Sequence, residues 1–165
     1  MAQITLGGSP VYTSGDLPAI GTELKNYKLI KTDLSEVSIS DYRGNKVILN
    51  IFPSIDTSVC ASSVRKFNEE AASKNDVKVL CISKDLPFAH KRFCEAEDIE
   101  NVEVLSDFRN GDFAEELGFL MASGPFQGLD ARGIIILDEE GKVSYTELVK
   151  EIADPPNYEA ALGSL

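Results

Sequence analysis

The chain has 165 residues, of which 43% are hydrophobic and 26% are charged, values typical of an ordinary globular protein. This length predicts one domain, spanning residues 1–165, that buries roughly two-thirds of the surface exposed by the unfolded chain. The 16 basic and 27 acidic residues give a net charge of −11. Nucleic acids and anionic membranes are therefore disfavoured as partners, because both are negatively charged.

Cysteine usage indicates a reducing compartment. The N-terminal segment lacks the basic region and apolar run of a secretory signal. The three cysteines are odd in number and widely spaced, unlike a secreted disulfide framework. We therefore expect a cytoplasmic protein, in which a disulfide would be transient and catalytic. One histidine and no C-x-x-C motif make a zinc site unexpected, and no nucleotide-binding glycine motif is present, so we predict neither a metal nor a cofactor.

The first half of the chain predicts strands followed by a helix. A β-hairpin within residues 1–20 is indicated by "ITL", a "GGSP" turn and "VYT". A short strand is expected around Tyr27–Ile30. The apolar run Lys46–Phe52 is typical of a strand buried on both faces. A helix follows from about Ser58 to Ala72, and its predicted inward face carries Val59, Val64 and Phe67.

The second half continues the alternation. Its predicted elements are, in order, a buried strand Val77–Ser83, a helix starting at Pro87, a strand Val102–Asp107, a short helix ended by Gly118, a hairpin beginning at Arg132, and a C-terminal helix after Pro156. Alternating strands and helices closed by an antiparallel hairpin predict a mixed central sheet flanked by helices. This is the order of a thioredoxin-like α/β fold, here with an N-terminal β-hairpin extension.

Cys60 lies where the predicted strand–loop–helix unit would place chemistry. Residues 53–57 form the loop at the carboxyl end of the strand, and Cys60 falls in the first turn of the next helix. Open α/β sheets bind ligands at this end of their strands, and the unpaired N–H groups of a first helical turn favour a thiolate. Cys60 is therefore a candidate nucleophile. Alternatively, Cys60 only fills space beneath the loop while Asp56, Thr57 or Ser58 caps the helix.

A reactive thiolate at this position needs more than the helix terminus. A free cysteine has a pKa near 8.5, so only about 3% of it is ionised at neutral pH, and one pKa unit corresponds to about 1.4 kcal/mol. The helix terminus supplies about 0.3–1 kcal/mol. We therefore expect a hydrogen-bond donor, for which Thr57 is the candidate, and a cation. Arg65 is about one and a half turns further along the helix, so the cation is expected from elsewhere in the chain.

The residues around Cys60 form a pattern that resembles a known family. Pro53, Thr57 and Cys60 match the P-x-x-x-T-x-x-C motif of peroxiredoxins, and "NIFPSIDTSVCASSVRKFNEEA" resembles the bacterial thiol peroxidases of that superfamily, the atypical two-cysteine class. The likeness extends over nearly the whole chain, since "GGSPV", Cys94 at 34 residues after Cys60, and "GLDARGIIILDEEGKV" fit the same class. The segment "GTELKNYKL" at residues 21–29 departs from the class, in which alanine–proline followed by an aromatic residue is frequent. This difference affects loop packing and leaves the implied chemistry unchanged.

The resemblance implies an enzyme that reduces hydrogen peroxide and alkyl or lipid hydroperoxides in antioxidant defence. It implies that Cys60 is the peroxidatic nucleophile and that Cys94 is the resolving thiol, which forms a disulfide with Cys60. Thr57 and Arg132 would activate the thiolate and the peroxide, and Pro53 would shield the sulfur from water. Thioredoxin as the reductant and a homodimer are implied in the same way.

Two features lie outside the motif. Cys81 lies in a predicted buried strand, where a cysteine is usually inert packing. The apolar segment Phe119–Leu129 is a candidate for the dimer surface, for a wall that favours hydrophobic peroxides, or for an ordinary buried loop.

Two alternative functions remain open. One is a cysteine hydrolase with His90 as the base of Cys60, which the exposed-looking helix of His90 disfavours. The other is a peroxide-sensing redox switch without turnover.

Overall fold

The computed structural model describes residues 1–165, and a seven-stranded mixed sheet forms its centre. The strands of the protein are β1 Gln3–Leu6, β2 Ser9–Tyr12, β3 Lys28–Ile30, β4 Glu36–Ser38, β5 Lys46–Ile51, β6 Val77–Ser83, β7 Glu103–Ser106, β8 Gly133–Leu137 and β9 Val143–Leu148. The order in the central sheet is β4-β3-β7-β6-β5-β8-β9. Strands β5, β6 and β7 are parallel, so their carboxyl ends meet at one edge of the sheet.

The remaining two strands form the N-terminal hairpin. Strands β1 and β2 pair in antiparallel fashion as a separate two-stranded sheet. The hairpin is joined to the segment after β9, because the Thr5 amide donates to the Lys150 carbonyl at 2.7 Å and the Ile152 amide donates to the Thr5 carbonyl at 2.9 Å. The N-terminal extension thus fixes the backbone around Ile152.

Helices cover the sheet. They are α1 Ser58–Ala71, α2 Pro87–Ala96, α3 Asp112–Glu116 and α4 Tyr158–Gly163, with a 3₁₀ helix at Ile39–Tyr42. Pro87 is the first residue of α2, where its fixed φ and missing N–H suit a helix start. The Asn157 side chain caps α4 by accepting a hydrogen bond from the Ala160 amide at 3.0 Å. None of the helices has the length and apolar character needed to cross a membrane.

The core consists of two apolar clusters, one on each face of the sheet. Successive strand residues point to opposite faces, so Leu49 and Ile51 of β5 belong to one cluster and Ile48 to the other. The second cluster packs against α1 through Val64 and Phe67, both fully buried. Burial on both faces explains why β5 has no polar–apolar alternation.

The predicted fold is confirmed: the hairpin extension, the mixed sheet and the flanking helices are all present. Two details differ. Strand β4 and the 3₁₀ helix were not predicted. Val59 was predicted to face inward but is only half-buried, because the buried face of α1 passes through Cys60, Val64 and Phe67 at spacings of four and three residues.

Candidate active site

Cys60 is the third residue of α1 and is completely buried. Strand β5 leads into the loop of residues 52–57, in which Phe52, Pro53 and Ile55 are buried. Phe52 and Ile55 belong to the same apolar cluster as Cys60. The loop therefore has an apolar underside, and this holds the first turn of α1 against the sheet.

Arg132 contacts the sulfur of Cys60 directly. Its Nη1 lies 3.1 Å from Cys60 Sγ, although the two residues are 72 positions apart in sequence. Its Nε donates to the Ile152 carbonyl at 2.9 Å, which fixes the plane of the guanidinium. Arg132 is only 3% exposed. A cationic group thus lies against the sulfur at a place where water screens charge little.

Thr57 lies next to the start of α1. We expected its hydroxyl to donate to the Cys60 sulfur, but it does not. Its Oγ1 donates to the Ser54 carbonyl at 3.0 Å. A hydroxyl has a single hydrogen, so the bond to Ser54 excludes a simultaneous bond from Thr57 to Cys60. Thr57 is also the N-cap residue of α1. The oxygen lone pairs of Thr57 remain able to accept a hydrogen bond from a bound molecule.

The other two cysteines occupy different environments. Cys94 lies on α2, is half-buried, and carries a free thiol, as does Cys60. Burial, with a smaller contribution from Glu95, raises the pKa of Cys94. Cys81 lies in β6 and is fully buried, and burial raises its pKa to about 12. Cys81 is thus a protonated packing residue, whereas Cys94 is placed nearer the surface.

His90 is not exposed, contrary to our expectation. It is 0% exposed, and its Nε2 lies 2.8 Å from Ser83 Oγ. The basic neighbours Lys91 and Arg92 made the helix look solvated, but they lie on its outer face. His90 makes no hydrogen bond to Cys60, and the hydrogen-bond partner of the Cys60 sulfur is Arg132. The hydrolase arrangement of cysteine and histidine is therefore not formed.

Polar residues that the sequence analysis missed lie at the carboxyl ends of the parallel strands. Asp85, just after β6, accepts hydrogen bonds from Ser54 Oγ at 2.8 Å and from the Ile55 amide at 2.7 Å. Burial acts to raise the pKa of Asp85, but interactions with the side chains of His90 and Ser83, and then with the Ile55 amide and Ser54, outweigh burial and lower this pKa to about 2. The signal in the sequence was the "SKD" string that ends β6, since ligand-facing groups concentrate at such strand ends.

A second polar cluster lies on the Arg132 side of the site. Lys84 Nζ is 3.1 Å from Asp107 Oδ2 and 3.7 Å from Asp130 Oδ1, and both carboxyls are buried. Burial, and then repulsion from Asp107, raises the pKa of Asp130 well above its usual range. One lysine therefore faces two carboxyls, one of which, Asp130, lies two residues before Arg132.

Comparisons with known proteins identify the family of this chain. Residues 17–162 match the redoxin family. The thiol peroxidases of Corynebacterium glutamicum and Mycobacterium tuberculosis are each 54% identical to this chain over 165 residues, covering 100% of it and 99% of their own length. The chain belongs to the redoxin family, among the thiol peroxidases. It is therefore an enzyme, a peroxidase of the peroxiredoxin type, as the resemblance predicted.

Solved structures show the same relationship at the level of the fold. The peroxiredoxin-like protein from Aquifex aeolicus superposes with a TM-score of 0.93 at 39% identity, covering 99% of this chain and 95% of that one. The thiol peroxidase from Chromobacterium violaceum has a TM-score of 0.87 at 21% identity, covering 98% of this chain and 93% of its own. The thioredoxin-like architecture is thus common to all of them.

Proposed function

We propose that this peroxidase reduces hydrogen peroxide and organic hydroperoxides through Cys60, with Arg132 as the group that activates the sulfur. The observation that carries the proposal is the 3.1 Å contact between Arg132 Nη1 and Cys60 Sγ in a buried site. A cysteine that only filled space would not require a buried guanidinium, which is costly to desolvate.

In the first step, the Cys60 thiolate attacks one oxygen of the peroxide. An S–O bond forms, the O–O bond breaks, and negative charge moves to the departing oxygen, which takes a proton and leaves as water or alcohol. The Arg132 guanidinium and the first-turn amides of α1 stabilise this charge, and the Thr57 hydroxyl accepts a hydrogen bond from the peroxide. Pro53, which has no N–H and is buried, keeps water from the sulfur.

In the second step, the Cys60 sulfenic acid condenses with the Cys94 thiol, releasing water and forming a disulfide. The two α-carbons of a disulfide must approach within about 7 Å, yet the two thiols are held on separate helices. Local unwinding of α2, and of the first turn of α1, supplies the approach. A reduced thioredoxin then exchanges with the disulfide and restores both thiols.

Peroxide consumption with thioredoxin as the reductant tests this scheme. The unmodified protein turns over many equivalents, Cys60→Ser turns over none, and Cys94→Ser oxidises once and then stops. Cys81→Ser is the matched control, since we expect it to retain turnover. Stoichiometric consumption by the unmodified protein would instead indicate the sensing switch, and full activity of Cys60→Ser would refute the assignment of the nucleophile.

The assembly and location of the enzyme are part of the same proposal. The resemblance to thiol peroxidases supports a homodimer, and free cysteines support a reducing compartment such as the cytoplasm. The segment Phe119–Leu129 is less suited to an interface than its composition indicated, because Phe119 and Met121 point into the core. Sedimentation of the reduced protein at several concentrations tests the dimer.

A further inference from the structure

Asp85 joins three parts of the active-site region through one carboxylate. Oδ1 accepts from Ser54 Oγ at 2.8 Å, and Oδ2 accepts from the Ile55 amide at 2.7 Å and from Ser83 Oγ at 2.6 Å. The side chain is only 12% exposed. Hydrogen bonds to a charged and largely buried acceptor are among the strong ones in proteins, so Asp85 holds residues 54 and 55 firmly.

The held residues determine the start of the Cys60 helix. The Ser54 carbonyl accepts from Thr57 Oγ1 at 3.0 Å and from the Thr57 amide at 3.2 Å. The Thr57 carbonyl in turn accepts from the Ala61 amide at 3.0 Å. A continuous set of hydrogen bonds therefore leads from Asp85 to the first turn of α1, which carries Cys60.

The same carboxylate is connected to the helix of Cys94 through Ser83 and through His90 itself, whose Nε2 lies 3.7 Å from Asp85 Oδ2. The single hydrogen of the Ser83 hydroxyl is donated to Asp85 Oδ2, so the hydroxyl oxygen accepts from His90 Nε2 at 2.8 Å. His90 lies on α2, one turn before Cys94, and residues four apart share a helix face. Unwinding of α2 to release Cys94 would pull His90 from this bond.

We propose that Asp85 is a positioning residue for the peroxidase reaction, and that Asp85, Ser83 and His90 form a latch between the Cys60 loop and the Cys94 helix. While α2 is folded, the latch keeps the Cys60 loop ordered for the peroxide step. It opens when α2 unwinds for the disulfide step. This inference rests on the proposed function.

Loosening a latch affects the two steps differently. Loosening it disorders Thr57 and the first-turn amides, so the peroxide step slows. It also removes bonds that must break before Cys94 reaches the sulfenic acid, so condensation is not slowed. Because further oxidation of the sulfenic acid by peroxide competes with condensation, a loosened latch lowers the fraction of sulfinic acid. General destabilisation of the site would not slow the peroxide step while leaving condensation at least as fast.

The experiment measures both steps separately in the reduced full-length protein. Single-turnover reactions with peroxide are quenched by alkylation, and mass spectrometry follows loss of the Cys60 thiol, appearance of the disulfide and formation of sulfinic acid. Asp85→Ala should slow loss of the thiol about tenfold, as expected for a lost charged hydrogen bond, with disulfide formation from the sulfenic acid as fast as before or faster. Asp85→Asn, which retains one acceptor oxygen, should lie between.

Three further variants make the test specific. Asp76→Asn is the control, because Asp76 is exposed and lies in neither the Cys60 loop nor α2; we expect a change within about twofold. His90→Leu removes the donor to Ser83 and should behave like Asp85→Asn. His90→Gln offers an amide N–H near the position of Nε2 and should restore the behaviour of the unmodified protein.

Some outcomes overturn the latch. The Asp85→Ala protein is first shown to be folded by circular dichroism. The latch is refuted if this variant loses its Cys60 thiol at the original rate, or if both steps are slowed equally. If Asp85→Ala does not fold, Asp85→Asn and His90→Leu carry the test. Hydrogen exchange without peroxide separates this proposal from the proposed function, since Asp85→Asn should speed exchange at residues 54–57 and in α2 together. Unchanged exchange refutes the latch even if the enzyme reduces peroxide, and coupled exchange supports it even if the enzyme does not.

Discussion

Arg132 divides one guanidinium between a backbone carbonyl and the sulfur of Cys60. Nε is held by Ile152 and Nη1 faces Sγ, so the carbonyl determines where the positive charge is aimed. This division needs two N–H groups at fixed positions in one plane. Arginine has this geometry, whereas the ammonium of lysine is a single charged centre on a flexible stem.

Arg132→Lys should therefore retain the charge and still lose most of the activity. We expect the second-order rate constant for peroxide to fall about 100-fold, as for removal of an oriented donor from a transition state. Arg109→Lys, a conservative change at an exposed arginine, is the control and should react at the original rate. Full activity of Arg132→Lys would show that charge alone, without orientation, suffices at this position.

Asp130 should reduce the stability of the folded protein at neutral pH. A carboxyl with a higher pKa in the folded than in the unfolded state binds more protons when folded, so stability falls as the pH rises from about 4, the unfolded pKa, toward the raised folded pKa. Asp130→Asn removes this effect and offers an N–H to Asp107 Oδ1, which has no partner. We expect a gain on the order of 1 kcal/mol at pH 7 and a smaller one near pH 4.

Thermal unfolding at both pH values measures this prediction. Asp154→Asn is the matched control, because Asp154 is exposed; its effect should stay within about 0.5 kcal/mol. Destabilisation by Asp130→Asn at pH 7 would contradict the prediction. It would mean that Lys84 holds Asp130 as a favourable ion pair in spite of its burial.

Helix α2 is the element that we expect to change most during turnover. Cys94 lies in its last turn, and disulfide formation requires that thiol to leave the helix. In the disulfide form, amides of α2 should exchange hydrogen faster than in the reduced form, whereas β6, in the middle of the sheet, should keep its protection. Mass spectrometry of peptides from the two forms makes the comparison. Equal protection of α2 in both forms would refute local unwinding.

The elements that sequence patterns predicted well are those whose pattern is local. Strands β5 and β6 are apolar runs, and the residues of α1, which follow β5, favour a helix. The positions of these three elements were therefore predicted to within a residue or two. Strand β4 has no apolar run and is only partly buried at the sheet edge. It exists because β3 offers it hydrogen bonds, which its own sequence does not indicate.

The active site was predictable to the extent that the family resemblance supplied it. Local reasoning led to Cys60 and to the need for a cation, but Arg132 was selected through the resemblance, since no local pattern brings together residues 72 positions apart. The partners of Thr57 and His90 were missed for a related reason. The hydrogen-bond partner of a hydroxyl or ring nitrogen can come from several elements. Which partner it has depends on how the fold brings those elements together.

The charge of the whole molecule should distinguish anionic from neutral peroxides. The net charge of −11 surrounds a site whose nearest charged group is the cationic Arg132, which is buried. Charges farther away than about 10 Å are largely screened at 0.1 M salt, so added salt weakens the repulsive surface field more than the local attraction of the buried guanidinium. A fatty-acid hydroperoxide, which carries a carboxylate, should therefore react faster as salt is added.

Cumene hydroperoxide is neutral and is the matched comparison, since its rate should not depend on ionic strength. Measuring kcat/KM for both substrates over a salt series isolates the electrostatic effect, because the chemistry at Cys60 is the same for each. A fatty-acid hydroperoxide that reacts more slowly as salt is added would reverse the conclusion. The Arg132 field would then extend to the mouth of the site and steer anions inward, in spite of the acidic surface around it.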